Sequence, residues 1–178
     1  MLGAVALDQL SKQLVVAHMA EGSSIPLIPD VLNITYIRNE GAAFGMLSDH
    51  RWVFMVVSTV AIIALIVYLW KFRPESKLAC TALSLIIGGG IGNMIDRVYL
   101  DYVIDFIDFC AFDFWIWIFN IADACVCVGG GILFVWCIVS LIKESVKDSK
   151  NKSQKAAVSP APENAEPIEK SEENSENK

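Results

Sequence analysis

The chain has 178 residues, 54% of them hydrophobic, and a mean hydropathy of +0.49, with its charges gathered outside a few long apolar runs. That pattern describes an integral membrane protein rather than a soluble globular domain. The net charge of −6 says little about partners, because seven of the fourteen Lys and Arg and eight of the twenty acids fall in residues 143–178.

Residues 1–20 are apolar except for Asp8, Gln9, Ser11, Lys12, Gln13 and His18. Hydropathy alone leaves open whether they span a bilayer, and they lack the basic start and long apolar stretch of a secretory signal. On a helix, Asp8 and Lys12 stand four apart with the acid on the N-terminal side, the better order for an ion pair. Residues 31–38 read as a strand, with Leu32, Ile34 and Tyr36 alternating against Asn33 and Thr35. Gly41 and Gly45 then frame a turn-rich stretch. Two spans follow: residues 52–70 are nineteen without a charge and residues 78–95 are eighteen, each close to the ~20 needed to cross ~30 Å of hydrocarbon. A second short strand is expected over 100–107, where Leu100, Tyr102, Ile104 and Phe106 alternate with Asp101, Val103, Asp105 and Ile107. A last span is expected over 114–142, and residues 143–178, rich in Lys, Glu, Ser, Asn, Pro and Ala, should be a disordered tail.

Basic residues orient these pieces. Lys71, Arg73 and Lys77 lie between the middle spans, and Lys143, Lys147, Lys150, Lys152 and Lys155 follow the last, so both regions belong in the cytoplasm. Residues 21–51 and 97–113 are acid-rich and belong outside. Four spans with both termini in the cytoplasm satisfy all of this. The expected fold is therefore an all-α membrane protein, a four-transmembrane-helix bundle over 1–142 carrying a small extracytoplasmic β-sheet.

The chemistry lies in polar residues set into apolar surroundings. Asp123 stands inside the last run, where a charged group costs at least ~2.5–3.5 kcal/mol and is by default functional. If that helix enters the membrane near 114–117, Asp123 lies roughly 9–14 Å along it at 1.5 Å per residue. Asn120 precedes it by three positions on one face. Asp105, on the outer segment, can fold towards the same place. The glycines 88, 89, 90 and 92 allow close helix approach, and beyond them Asn93 and Asp96 share a face, with Arg97 beside Asp96 as an expected ion-pair partner. Two carboxylates close together cannot both ionise easily, so one keeps a proton while the other serves as a base. Such a pair can activate water against a carbonyl. The residues alone leave a second reading open, in which Asp105 is solvated and Asp123 is a proton relay of a small transporter or channel subunit. The predicted spans 52–70, 78–95 and 114–142 hold no His to activate a Ser or Cys. Four of the five cysteines lie inside predicted spans, Cys125 and Cys127 point to opposite sides of a helix, and only His18 and His50 are present, so neither a disulfide framework nor a metal site is expected.

Five segments occur in one order: DQLSK at 8–12, NITYIRNEGAAFG at 33–45, GGGIGNMIDR at 88–97, VIDFID at 103–108 and FNIAD at 119–123. Together they closely resemble the bacterial lipoprotein signal peptidases, the signal peptidase II family of intramembrane aspartic proteases. The resemblance implies that Asp105 and Asp123 are the catalytic pair and that Asp8, Lys12, Asn39, Gly41, Asn93, Asp96, Arg97, Asn120 and Ala122 bind substrate or support the site. It implies cleavage of diacylglyceryl-modified prolipoproteins just before the lipidated Cys, in the bacterial cytoplasmic membrane, with the site towards the outer leaflet. Partners are then lipid-modified signal peptides and membrane lipid; a cofactor, a metal and nucleic acid are not expected, and the working form is expected to be a monomer. The chain departs from the family in three places. Only seven residues precede Asp8, so a truncated first span or a misassigned start is expected. Trp117 stands where proline is frequent, and Ala124 where serine is common.

Overall fold

The computed structural model describes residues 1–41, 51–112 and 117–158. In chain order these form α1 (Leu2–His18), β1 (Ser24–Ile28), β2 (Leu32–Asn39), α2 (Arg51–Phe72), α3 (Lys77–Tyr99), β3 (Val103–Phe109), β4 (Ile118–Phe119) and α4 (Ile121–Val158). The chain divides into one unit over Met1–Ile138 and another over Val139–Lys178. The first unit carries every residue discussed below as part of the site. Gly45 and residues 113–116, which include the expected start of the last span, lie outside the described residues.

Three of the helices are long and apolar enough to cross a membrane: α2 through Met55–Phe72, α3 through Lys77–Tyr99, and α4 through Ile121–Lys150. The 17-residue α1 turns Asp8, Lys12 and Val15 inward, positions spaced by four and three on one helical face. Its leucines 7, 10 and 14 face outward. This inverts the pattern of a soluble amphipathic helix, whose apolar stripe would be the buried one.

The sheet has four strands in the order β1-β2-β3-β4, every neighbouring pair antiparallel. It is larger than the two strands expected, so the chain is mostly helical rather than all-α. Strand β1 is read poorly from sequence because Pro26 interrupts it, and Pro is tolerated there because β1 is an edge. The β1–β2 turn has Pro29 before Asp30 at φ 57, closed by Val31 N donating to Ile28 O at 3.1 Å. Proline at the first central position and a left-handed residue at the second are the demands of a type II turn. At the end of α3, Asp101 takes φ 70 just past the cap residue Leu100. That left-handed step, usually given to glycine, reverses the chain and lays β3 back beside α3.

Packing differs between the sheet and the helices. Val15 of α1, Tyr36 of β2, and Ile104 and Phe106 of β3 form a buried cluster, with Met19, Ile34, Tyr102, Ile107 and Ile121 against it. Against α3 the contacts use small residues. A methyl group at Gly89 would collide with the Ala122 carbonyl, and one at Gly129 would meet the Ala82 oxygen at 2.7 Å. The expected close approach is thus found between α3 and α4, and Gly92 extends it to α1, where a methyl would lie 2.5 Å from Asp8 Oδ2.

Two expectations about the last helix change. It begins at Ile121, after a strand, so Asp123 lies in its first turn and not 9–14 Å along it. At its other end α4 runs on to Val158, so residues 143–158 are helical where disorder was expected.

Candidate active site

The start of α4 is set by its own side chains. Asn120 Oδ1 accepts from Asp123 N at 3.0 Å, and Asp123 Oδ2 accepts from Asn120 N at 3.2 Å. This is the reciprocal arrangement of a capping box, with Asn as the N-cap and Asp three residues on. The three-residue spacing, read from sequence as a shared helix face, is the spacing of a cap. It fixes Asp123 at the mouth of the helix.

Asp105 reaches the same point from β3. Its backbone partner in the sheet is Ile37, and its side chain is 1% exposed. Asp105 Oδ2 accepts from Asn39 Nδ2 at 2.8 Å, and Oδ1 accepts from Asn120 Nδ2 at 2.6 Å. Asn39 Oδ1 in turn accepts from Gly41 N at 3.1 Å, which holds that amide's orientation. Asp123 Oδ1 accepts from Asn93 Nδ2 at 2.7 Å. Asn120 therefore touches both aspartates, one through its side chain and the other through its backbone. Its amide nitrogen also lies 3.1 Å from Asn93 Oδ1 and 3.3 Å from Ile104 O. With two protons for three acceptors, the short bond to Asp105 is the favoured one.

Burial pushes the Asp105 carboxyl up from the ordinary 3.8 to about 7, and the nearby Asp123 charge pushes the same way. The Asn39 and Asn120 amides and the Lys12 ammonium pull against that rise by favouring the ionised form. A group held near neutrality can exist in either protonation state under ordinary conditions.

Beneath the pair lies a buried ionic hub. Lys12 Nζ donates to Asp8 Oδ2 at 2.9 Å, to Asp96 Oδ2 at 2.8 Å and to Asn93 Oδ1 at 3.0 Å. An ammonium has three protons, and each finds an acceptor. Asp8 and Lys12 pair as expected. Asp96 does not pair with its neighbour Arg97, because its side chain points inward to Lys12, while Arg97 Nη1 donates to Asn93 O at 3.3 Å. Asp8 Oδ1 accepts from Ala122 N at 2.9 Å, and Asp96 Oδ2 accepts from Ile104 N at 3.2 Å. Among the described residues no buried side-chain nitrogen or oxygen lacks a partner. This satisfaction is what allows charged groups to be buried at all.

The structure thus joins Asp8, Lys12, Asn39, Gly41, Asn93, Asp96, Asn120, Ala122 and both aspartates in one network, with Arg97 half-buried at its edge. One contributor was not singled out from sequence. Gln9 Nε2 lies 2.8 Å from Asp96 Oδ1 and 3.2 Å from both Asp8 Oδ2 and Gly92 O. Its place inside the DQLSK segment, directly after Asp8, was the available signal.

The family model of signal peptidase (SPase) II matches residues 1–139. A lipoprotein signal peptidase of Halalkalibacterium halodurans is 42% identical over 149 residues, covering 84% of this chain and 93% of the relative. One from Geobacillus thermodenitrificans is 45% identical over 131 residues, covering 74% of this chain and 82% of its own. Among solved structures, a bacterial membrane enzyme determined by the in meso method at 2.3 Å superposes with a TM-score of 0.72 at 36% identity, covering 81% of this chain and 85% of that one. The chain belongs to the signal peptidase II family, membrane proteases whose members include the lipoprotein signal peptidases.

Proposed function

We propose that this protein is an aspartic endopeptidase that removes the signal peptide from diacylglyceryl-modified prolipoproteins just before the lipidated Cys, with Asp105 and Asp123 as its catalytic pair. The observation that carries the reading is their meeting on Asn120, which donates to Asp105 Oδ1 at 2.6 Å and to Asp123 Oδ2 at 3.2 Å. Asp8 and Asp96 also share a neutral donor, Gln9, but there the Lys12 ammonium lies between them.

In this mechanism one carboxyl is ionised and the other protonated. The carboxylate takes a proton from water as the water oxygen bonds to the scissile carbonyl carbon, and the carboxylic acid gives its proton to the carbonyl oxygen. Collapse of the resulting diol returns a proton to the peptide nitrogen as the C–N bond breaks. The amides of Asn39, Asn93 and Asn120 are neutral donors, so they hold the two carboxyls in either charge state without forcing both to ionise. Asp123 is half-buried and Asp105 fully buried, which makes Asp123 the side from which water arrives.

We place four spans in the membrane with both termini in the cytoplasm. The outward leucines of α1 support counting it as the first. Asp123 in the first turn of α4 then sits near the outer interface. A substrate whose signal peptide is a membrane helix and whose Cys carries lipid presents its scissile bond at that depth, so positioning does much of the work of catalysis. The enzyme acts as a monomer on this reading. The test is to incubate purified protein with lipidated and unlipidated precursors, beside Asp105→Asn and Asp123→Asn. Cleavage of the lipidated form alone, lost in both variants while they still accumulate in the membrane, supports the proposal. A relay function for Asp123 alone would instead leave Asp105→Asn active.

A further inference from the structure

Asp8 and Asp96 carry out parallel tasks at two ends of one ionic hub. Asp8 accepts the N–H of Ala122, the residue before Asp123, and Asp96 accepts the N–H of Ile104, the residue before Asp105. Each proposed catalytic side chain is thus placed through the backbone N–H of the residue directly before it. Lys12 joins the two hub carboxylates, but only through their Oδ2 atoms. The same Asp96 oxygen also accepts the Ile104 N–H, so the angle at which it meets that N–H is set by rotation of the carboxylate about it. Its other oxygen, Oδ1, is held by Gln9 Nε2 at 2.8 Å, and the same nitrogen lies 3.2 Å from Asp8 Oδ2.

We infer that Gln9 is a positioning residue, whose neutral amide locks the Asp8–Lys12–Asp96 hub and through it sets the alignment of Asp105 with Asp123. The inference rests on the reading of those two aspartates as the catalytic pair. Charge decides why an amide serves here. The hub already holds two acids against one ammonium, so a third anion would repel both acids, while a second cation would compete with Lys12 for the same oxygens. A neutral donor adds hydrogen bonds without altering that balance. Gln9 is half-buried at the helix surface and packs no part of the large apolar cluster, so its loss acts on alignment more than on core packing.

Two variants test this in detergent-solubilised full-length protein with a lipidated precursor. Gln9→Leu keeps the volume and removes the donor, and kcat should fall on the order of tenfold with KM nearly unchanged, as expected for misplacement rather than lost binding. Gln9→Glu is isosteric and can donate to Asp96 only while protonated, so its kcat relative to wild type should approach one at acidic pH and fall as pH rises, along an extra limb beyond the alkaline one that the wild type itself has. A space-filling role would give no such limb. Wild-type kcat and pH profile in both variants would overturn the inference, provided that Asp105→Asn is inactive in the same assay. If Gln9→Leu does not accumulate, the Gln9→Glu profile decides alone. An active Asp105→Asn would overturn the reading of the pair itself, a result distinct from unaltered Gln9 variants.

Discussion

Helices α2 and α3 lie side by side and obey different rules. In the membrane-crossing window of α2, Met55–Phe72, no residue is buried, and Val57, Val60 and Ile63 are all more than half exposed. In α3 the C-terminal half runs through Gly88, Gly89 and Gly92 to Asn93, Asp96 and Arg97, and the buried positions of that half are the three glycines and Asp96. The contrast extends further: among the described residues, four of the six largest fully buried side chains, Lys12, Asn120, Asp8 and Asp105, are polar. In lipid an apolar side chain gains nothing by leaving its surroundings. Burial here is given instead to hydrogen-bonded polar groups, which would be costly anywhere else.

The contrast between lipid-facing and buried polar positions is tested most severely at the proposed pair. Asp105→Asn or Asp123→Asn should reduce cleavage of a lipidated precursor by a factor of ~10² to 10⁴, the range of acid–base contributions, with membrane accumulation unchanged. Next in size, Lys12→Met strands two buried carboxylates and should destabilise the protein by about 3–5 kcal/mol, read as a lowered unfolding temperature in detergent. An unchanged melting curve would mean that the hub is not what holds α1 to α3. Glycine replacements sharpen the same line. Gly92→Ala places a methyl 2.5 Å from Asp8 Oδ2 and should cost about 1–3 kcal/mol by overpacking. Gly131→Ala, inside α4 with nothing within 4 Å of the added methyl, is the control and should raise stability by about 0.5–1 kcal/mol. On α2, Val60→Leu should lie within about 0.5 kcal/mol of wild type.

A smaller effect appears in pH dependence. The folded chain holds the Asp105 proton up to about 7, against the ordinary 3.8. The folded state therefore binds more protons between those values, and Asp105's contribution to stability is present below 3.8 and lost as pH rises through about 7. Activity that needs one proton on the pair should decline over the upper part of the same range. Asn39→Ala removes a donor that favours the ionised form, so the alkaline limb should move to higher pH. A limb moving to lower pH would contradict the assigned contact.

How much of this was legible in the sequence follows from the range of each interaction. The Asp8–Lys12 pair is one helical turn long, and spacing alone predicts it. The alternation over 31–38 and 100–107 leads to β2 and β3, because a half-buried strand repeats every two residues. The start of α4 was misplaced because unbroken hydropathy hides a cap. Asn120 and Asp123 carried the signal, and it was read as a shared face. The partner of Asp96 was missed for another reason: sequence offers Arg97 next door, while the true partner, Lys12, lies 84 positions away. Gln9 was overlooked because a lone amide has no spacing rule of its own.

The bond from Ala122 N to Asp8 Oδ1 joins residues 114 apart. During synthesis the chain emerges from its N-terminus, so α1 waits without that contact until the last helix has been made and inserted. An unfinished chain on the ribosome therefore holds only part of the framework that orients the proposed dyad. On the proposed reading, competence to cut arrives only with the last helix.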